Sequence, residues 1–304
     1  MSALKRGLFS VSYAGLWGQP TLTLEQSIEK VAELGFEGLL IMGKRPHLGP
    51  LETDEKRLSQ LRTCLQSFGV EAIGVAAYND FLLTAADEIP IAEMQLSYID
   101  SCCRAAAELG GSLVRVFTAY LPGADSGGTP GPSACWQRVV ELLRACGERA
   151  AAYGITLAVQ NHHDLAVDSQ ELELLIHEVG LDSVRAGFDA WSPYLRGEDI
   201  CAAAERMGRH SALTIAANYR RFRRYRYEPR LVNYQRSQPD TVRATFMSRG
   251  EIDYKAFLGA LRAGGYNGWV VYEICSPLIE GSSQQVLDEA ARDFLSSVEP
   301  ITAV

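Results

Sequence analysis

Short apolar runs recur along the chain, and each follows a helical pattern that closes on a glycine. The glycines are Gly35, Gly69, Gly110, Gly154, Gly180, Gly208 and Gly264, and each suits the left-handed position just past a helix. The runs that follow them are Gly38–Met42, Val70–Ala76, Leu113–Phe117, Thr156–Gln160, Val184–Phe188, Leu213–Ala217 and Trp269–Glu273. With Leu8–Tyr13 they predict eight strands that alternate with helices. Leu24, Ile28, Val31 and Leu34 fall at helical spacing, behind Thr23 and Gln26 placed as a capping box. Asp168 and Glu171 repeat that start signal. Tyr254–Ala263 and Gln284–Val298 supply the last two helices.

The strands are too apolar to keep one face in water, which fits a parallel sheet covered by helices. Eight βα units with right-handed crossovers predict an α/β fold, a single (β/α)8 barrel over residues 1–304. An open doubly wound sheet would want a glycine fingerprint after the first strand, and Tyr13–Gln19 does not carry one. Two connections are long: Thr118–Ala134, and Asn218–Gly250 with its basic Arg220–Arg230 run. Both follow strands, so both are expected as loops at the C-terminal mouth, where such barrels keep their sites.

Strand alternation then nominates the mouth residues. If Gln160 points inward, so does Ala158 beneath it. The same parity pairs Asp189 with Gly187, Asn218 with Ala216, and Glu273 with Val271. A ring of Gln160, Asp189, Asn218 and Glu273 offers oxygen donors to a hard divalent cation. His162 shares the parity of Gln160 and is a candidate base, while neighbouring His163 should point away or meet substrate. Lys44 and His47 after the second strand, Arg115 in the fourth, Trp191 after Asp189, and Arg220 are candidates for orienting substrate.

Composition narrows the class. A net charge of −8 speaks against a general nucleic-acid binder. No apolar run approaches the ~18 residues of a membrane span. The seven cysteines form no C-x-x-C pair and read as core residues of a reducing, cytoplasmic protein.

Leu157–His162, Phe188-Asp189 and above all Gly264–Glu273, with its Gly-Tyr-Asn-Gly-Trp segment, resemble the xylose-isomerase-like barrels. The resemblance runs from Leu8 to about Leu295. It implies sugar isomerases and epimerases that hold manganese, magnesium, cobalt or zinc with Glu, Asp, His and Glu from strands five to eight. By that resemblance Asp189 and Glu273 match two ligands, and Gln160 stands where the first Glu belongs. No histidine falls near Thr214–Ala216, and Ser192 replaces a common substrate-binding His. Gln160 brings no charge, and a site without His or Cys disfavours zinc, so a weak Mn or Mg site is expected. The implied reaction is proton abstraction α to a carbonyl of a small carbohydrate, with Glu273 or His162 moving the proton. Elimination of a β-leaving group, as in a dehydratase, is the alternative reaction. A barrel that only binds sugar, or supports a partner subunit, is the alternative without catalysis, and a homo-oligomer is open on either reading.

Overall fold

The computed structural model describes residues 4–84, 88–121 and 131–302. Part of the Thr118–Ala134 connection, residues 122–130, therefore lies outside the described residues. The strands are β1 (Lys5–Phe9), β2 (Gly38–Met42), β3 (Glu71–Ala76), β4 (Leu113–Val116), β5 (Thr156–Gln160), β6 (Val184–Gly187), β7 (Ser211–Ala216), β8 (Asn218–Glu228), β9 (Asn233–Thr245) and β10 (Trp269–Tyr272). The helices are α1 (Leu24–Leu34), α2 (Glu55–Phe68), α3 (Ile91–Leu109), α4 (Pro132–Ala152), α5 (Ser169–Val179), α6 (Trp191–Leu195), α7 (Ile200–Met207), α8 (Tyr254–Ala263) and α9 (Gln284–Thr302).

Strands β1 to β7 and β10 are parallel neighbours and close a barrel. Closure is visible at Leu8, which pairs with Leu39 on one side and Tyr272 on the other. Two apolar layers result. Phe9, Leu40, Met42, Ile73, Leu113, Ala158, Leu213, Ile215 and Val271 fill the barrel interior. A larger cluster that includes Leu8, Leu39, Val114, Leu157, Ala216 and Tyr272 packs the outer strand faces against the helices. Alternate residues of one strand thus feed different cores, as a two-residue period requires. No helix among the described residues is long and apolar enough to cross a membrane.

Local signals behave as their chemistry demands. Thr23 and Gln26 form the reciprocal capping box, and Asp168 accepts the N–H groups of Gln170 and Glu171. The first strand is shifted from its expected place: it begins at Lys5, and Ser10–Tyr13 is a 3-10 turn. Gly35, Gly69, Gly110 and Gly180 take left-handed conformations at helix ends. Gly208 and Gly264 do not; their φ values are −50° and −72°. They are glycines for closeness instead. A Cβ at Gly264 would run into the backbone of Glu205, and one at Gly208 would lie 2.7 Å from Gly264 Cα. The pair lets α8 settle onto α7.

The Asn218–Gly250 segment is not a loop. It is a long antiparallel hairpin, with Asn218 opposite Thr245 and Glu228 opposite Asn233. Its residues alternate arginine with Phe222, Tyr225 and Tyr227, types that favour extended chain. Pro229 falls in the turn, where Val232 adopts φ +48°. Tyr227 and Tyr234 meet edge to face across the strands at 5.3 Å.

Candidate active site

Four strand ends of the barrel aim chemistry at one mouth. On β4, Arg115 pairs in register with Ala158 and Ala76, which line the interior, so the barrel swallows its side chain. Arg115 is 1% exposed. Its Nη1 donates to the Ala77 carbonyl at 2.7 Å, and its Nε has no partner. The guanidinium lies 3.8 Å from the Phe117 ring centre and 4.9 Å from that of Tyr78. Lys44, on the loop after β2, sets its Nζ 3.7 Å from the same Tyr78 ring. Burial first, and then Arg115, hold Lys44 below the usual lysine range.

Opposite these cations stand two carboxylates. Gln160 is buried above Ala158, as its parity requires, and its amide donates to Asp189 Oδ2. Asp189 Oδ1 accepts the Ile215 N–H at 2.6 Å. Asn161 fixes the tip of β6, accepting the Asp189 N–H at 2.7 Å and donating to its carbonyl at 2.9 Å. Burial pushes Asp189 up to about 8, the Glu273 charge adds to the rise, and the bonds from Gln160 and Ile215 oppose it. Glu273 follows β10 and keeps part of its surface open, yet the protein around its carboxylate raises its pKa. The neighbouring Cys275 thiol and the charge of Arg115 pull the other way. Tyr219 Oη reaches the sulfur of Cys275 at 3.0 Å.

The two histidines do not alternate across a strand. The chain leaves β5 after Gln160, and His163 takes φ +69°. Both rings then gather on Phe117, at 5.5 Å for His162 and 4.2 Å for His163. His162 Nδ1 accepts the His163 N–H at 2.8 Å, while His163 Nδ1 is buried without a partner. The outer face of His162 is open, but desolvation of the rest and the Arg115 charge push it down to about 4. Burial, His162 and Arg115 push His163 down to about 3.

Lys44, Arg115, His162, His163, Gln160, Asp189 and Glu273 therefore share one region. Four other candidates serve elsewhere. His47 is buried and spends both ring nitrogens, on Ser10 Oγ at 2.8 Å and on the Leu22 carbonyl at 3.2 Å. Asn218 turns outward, because β7 faces the interior with Leu213 and Ile215, not Ala216. Its amide ties down the Met247 and Ile252 carbonyls, both at 2.9 Å. Trp191 stacks between Tyr194 and Tyr219 at 5.5 and 4.6 Å. Arg220 is exposed on the hairpin beside Phe222. Residues that sequence reasoning passed over join the mouth instead: Tyr78 and Phe117 as rings under cations, Trp17 packed on the interior cluster, and Cys275. Cys275 sits two residues past Glu273, a spacing that could have drawn notice.

A hard divalent cation asks for about six oxygen donors. This mouth does not fit one. Both Asp189 oxygens take N–H donors, and Gln160 turns its amide N–H, not its oxygen, to the carboxylate. The interior face of β7 offers the alkyl group of Ile215, and Asn218 is committed to backbone. Arg115 adds a positive charge felt by both carboxylates. Among the described residues no three His, Cys, Asp or Glu side chains cluster as a metal site. The weak Mn or Mg site expected of Gln160, Asp189 and Glu273 thus meets a donor set already occupied.

The sequence model for the xylose isomerase-like TIM barrel matches residues 28–297. The chain belongs to that family. No curated protein sequence matches it. Among solved structures of this fold, D-psicose 3-epimerase from Clostridium cellulolyticum H10, determined with D-tagatose, is 19% identical at a TM-score of 0.74, covering 98% of this chain and 99% of its own. D-allulose 3-epimerase from Methylomonas sp. is 16% identical at 0.72, covering 99% and 98%. The 3-keto-D-glucoside 4-epimerase of E. coli, in its apo form, is 18% identical at 0.70, covering 98% and 99%. At such identities the likeness is one of fold within the family.

Proposed function

We propose that the protein is a carbohydrate isomerase or epimerase that moves a proton α to a carbonyl. The observation that carries this reading is the placement of Glu273 at the barrel mouth, two residues beyond interior Val271, where burial raises its pKa and the charge of Arg115 acts on it. A base with a pKa raised toward neutrality is better matched to carbon acids than an ordinary surface carboxylate. Glu273 takes the proton from carbon. The C–H electron pair becomes a C=C bond, and the carbonyl π pair moves to oxygen as an enolate. Delivery of a proton to the opposite face of that carbon gives the epimer, and delivery to the former carbonyl carbon, with the enol O–H proton passing to the enolate oxygen, gives the isomer. Asp189, raised to about 8, is mostly protonated near neutral pH and can donate to a substrate oxygen. Rings at Tyr78, Phe117 and Trp17 give a sugar apolar walls. The small-molecule partner on this reading is a carbohydrate, as the names of the similar structures suggest. Elimination chemistry has no counterpart among those structures.

The test is incubation in D2O with a panel of ketoses and keto-sugar acids. Deuterium is expected at the carbon α to the carbonyl with the natural protein, and at least a hundredfold more slowly with Glu273→Gln. Absence of exchange across the panel would overturn the reading.

A further inference from the structure

Arg115 and Lys44 are two cations that share the Tyr78 ring, and neither has an ion-pair partner among the described residues. Arg115 is fully buried, and its Nε is a desolvated donor aimed at nothing. Trp17 Nε1, packed on the same interior cluster as Tyr78, is a second buried donor without a partner. Unpaired buried charge and unmet buried donors are costly, and proteins keep them where something else completes them. The carboxylates across the mouth do not complete them. Asp189 is held by Gln160 and Ile215, and Glu273 forms no ion pair with either cation among the described residues. The mouth is therefore divided, with cations on the β2 and β4 side and carboxylates on the β6 and β10 side.

We propose that Arg115 and Lys44 are the anion-binding half of this site and that the substrate is an acidic carbohydrate whose carboxylate they hold without a metal ion. This rests on the proton-transfer reading above and narrows its substrate class. A guanidinium edge between aromatic faces matches a flat carboxylate, which can take two parallel N–H bonds. The same fixed charge lies ready for the enolate oxygen that forms when Glu273 removes the proton. A preset guanidinium needs no reorganisation at that moment, which is the condition for strong electrostatic stabilisation.

Calorimetric titration of the full chain tests this without turnover. The probes are D-gluconate, D-glucuronate, D-galacturonate and 2-keto-D-gluconate, with D-glucitol as neutral control, glucose 6-phosphate as phosphate control, and MnCl2 alone. At least one sugar acid is expected to bind at least tenfold tighter than glucitol and glucose 6-phosphate, equally with and without EDTA. Lys44→Met, at the rim, should weaken that acid at least fivefold and leave glucitol unchanged. Arg115→Lys, which keeps the charge but loses the fork, should weaken it further, with circular dichroism checking the fold. Equal binding of glucitol, preference for the phosphate ester, stoichiometric Mn binding that the sugar acid requires, or no binding by any acid would each overturn the proposal. Deuterium exchange on neutral ketoses alone would overturn it while leaving the proton-transfer reading intact. Binding of an acid without exchange would do the reverse.

Discussion

His162 accepts the His163 backbone N–H on Nδ1, so while neutral its proton must sit on Nε2. The ring can donate a hydrogen bond into the mouth. It could act as a base only by giving up the bond that holds the next residue, so Glu273 is the better base. Heteronuclear NMR of the imidazoles checks this: His162 is expected as the Nε2–H tautomer with a midpoint about 4, and His163 with one about 3. Both folded values lie below the unfolded histidine value of about 6.5. The unfolded chain then binds more protons, so these two rings withdraw stability as pH falls from about 6.5 through their folded midpoints. A ring charged at pH 6 would sink the assignment. Much of this mouth could be read from strand parity, since Gln160 and Glu273 lie above Ala158 and Val271 of the interior. Parity misleads at β7, because Ile215 and not Ala216 faces the interior, so a polar residue at that strand end does not face the site. Asn218 faces outward because the turn at Met247 and Ile252 needs its donors and acceptors. The cationic half was legible as residue types but not as a unit, because Lys44 and Arg115 meet only when β2 and β4 close into one barrel.

Helix α8 contains Gly259 and ends against Gly264, two glycines with opposite reasons for being there. At Gly259 an added methyl would meet nothing within 4 Å, and glycine there only weakens the helix. Gly259→Ala is expected to stabilise the protein by about 0.5–1 kcal/mol, read by urea denaturation. At Gly264 the backbone dihedrals suit any residue, but the methyl would lie 2.8 Å from the Glu205 carbonyl carbon. Gly264→Ala should therefore cost about 1–3 kcal/mol by forcing α7 and α8 apart. Equal effects from the two substitutions would contradict the packing argument. Helix starts and most strands were legible because capping chemistry and apolar runs are local. The two glycines at −50° and −72° imitate helix-end glycines in the sequence, because close approach between helices leaves no local mark. The hairpin escaped because its alternation joins arginine to aromatics, and neither face supplies the apolar stripe by which buried strands are recognised.

At the scale of the molecule, that hairpin divides the charge. Asn218–Thr245 carries eight arginines against Glu228 and Asp240, a formal +6, in a chain whose total is −8; the remainder holds −14. Arg221 is tied back to Glu251, and Arg226 and Arg236 pair within the arm, but most of its surface faces water. Such a separation gives the protein a strong electric dipole with its positive end on the arm. The sequence isoelectric point of about 5.3 predicts that a cation-exchange column at pH 7 and low salt would let the protein pass. Retention there is expected instead, lost by moderate salt and abolished by Arg223→Glu with Arg224→Glu, two charges that make no ion pair among the described residues. Wild-type protein in the flow-through would mean that the acidic body cancels the arm. A chain whose average charge repels a negative surface can thus be held to one by a single projecting ribbon, always in the same orientation.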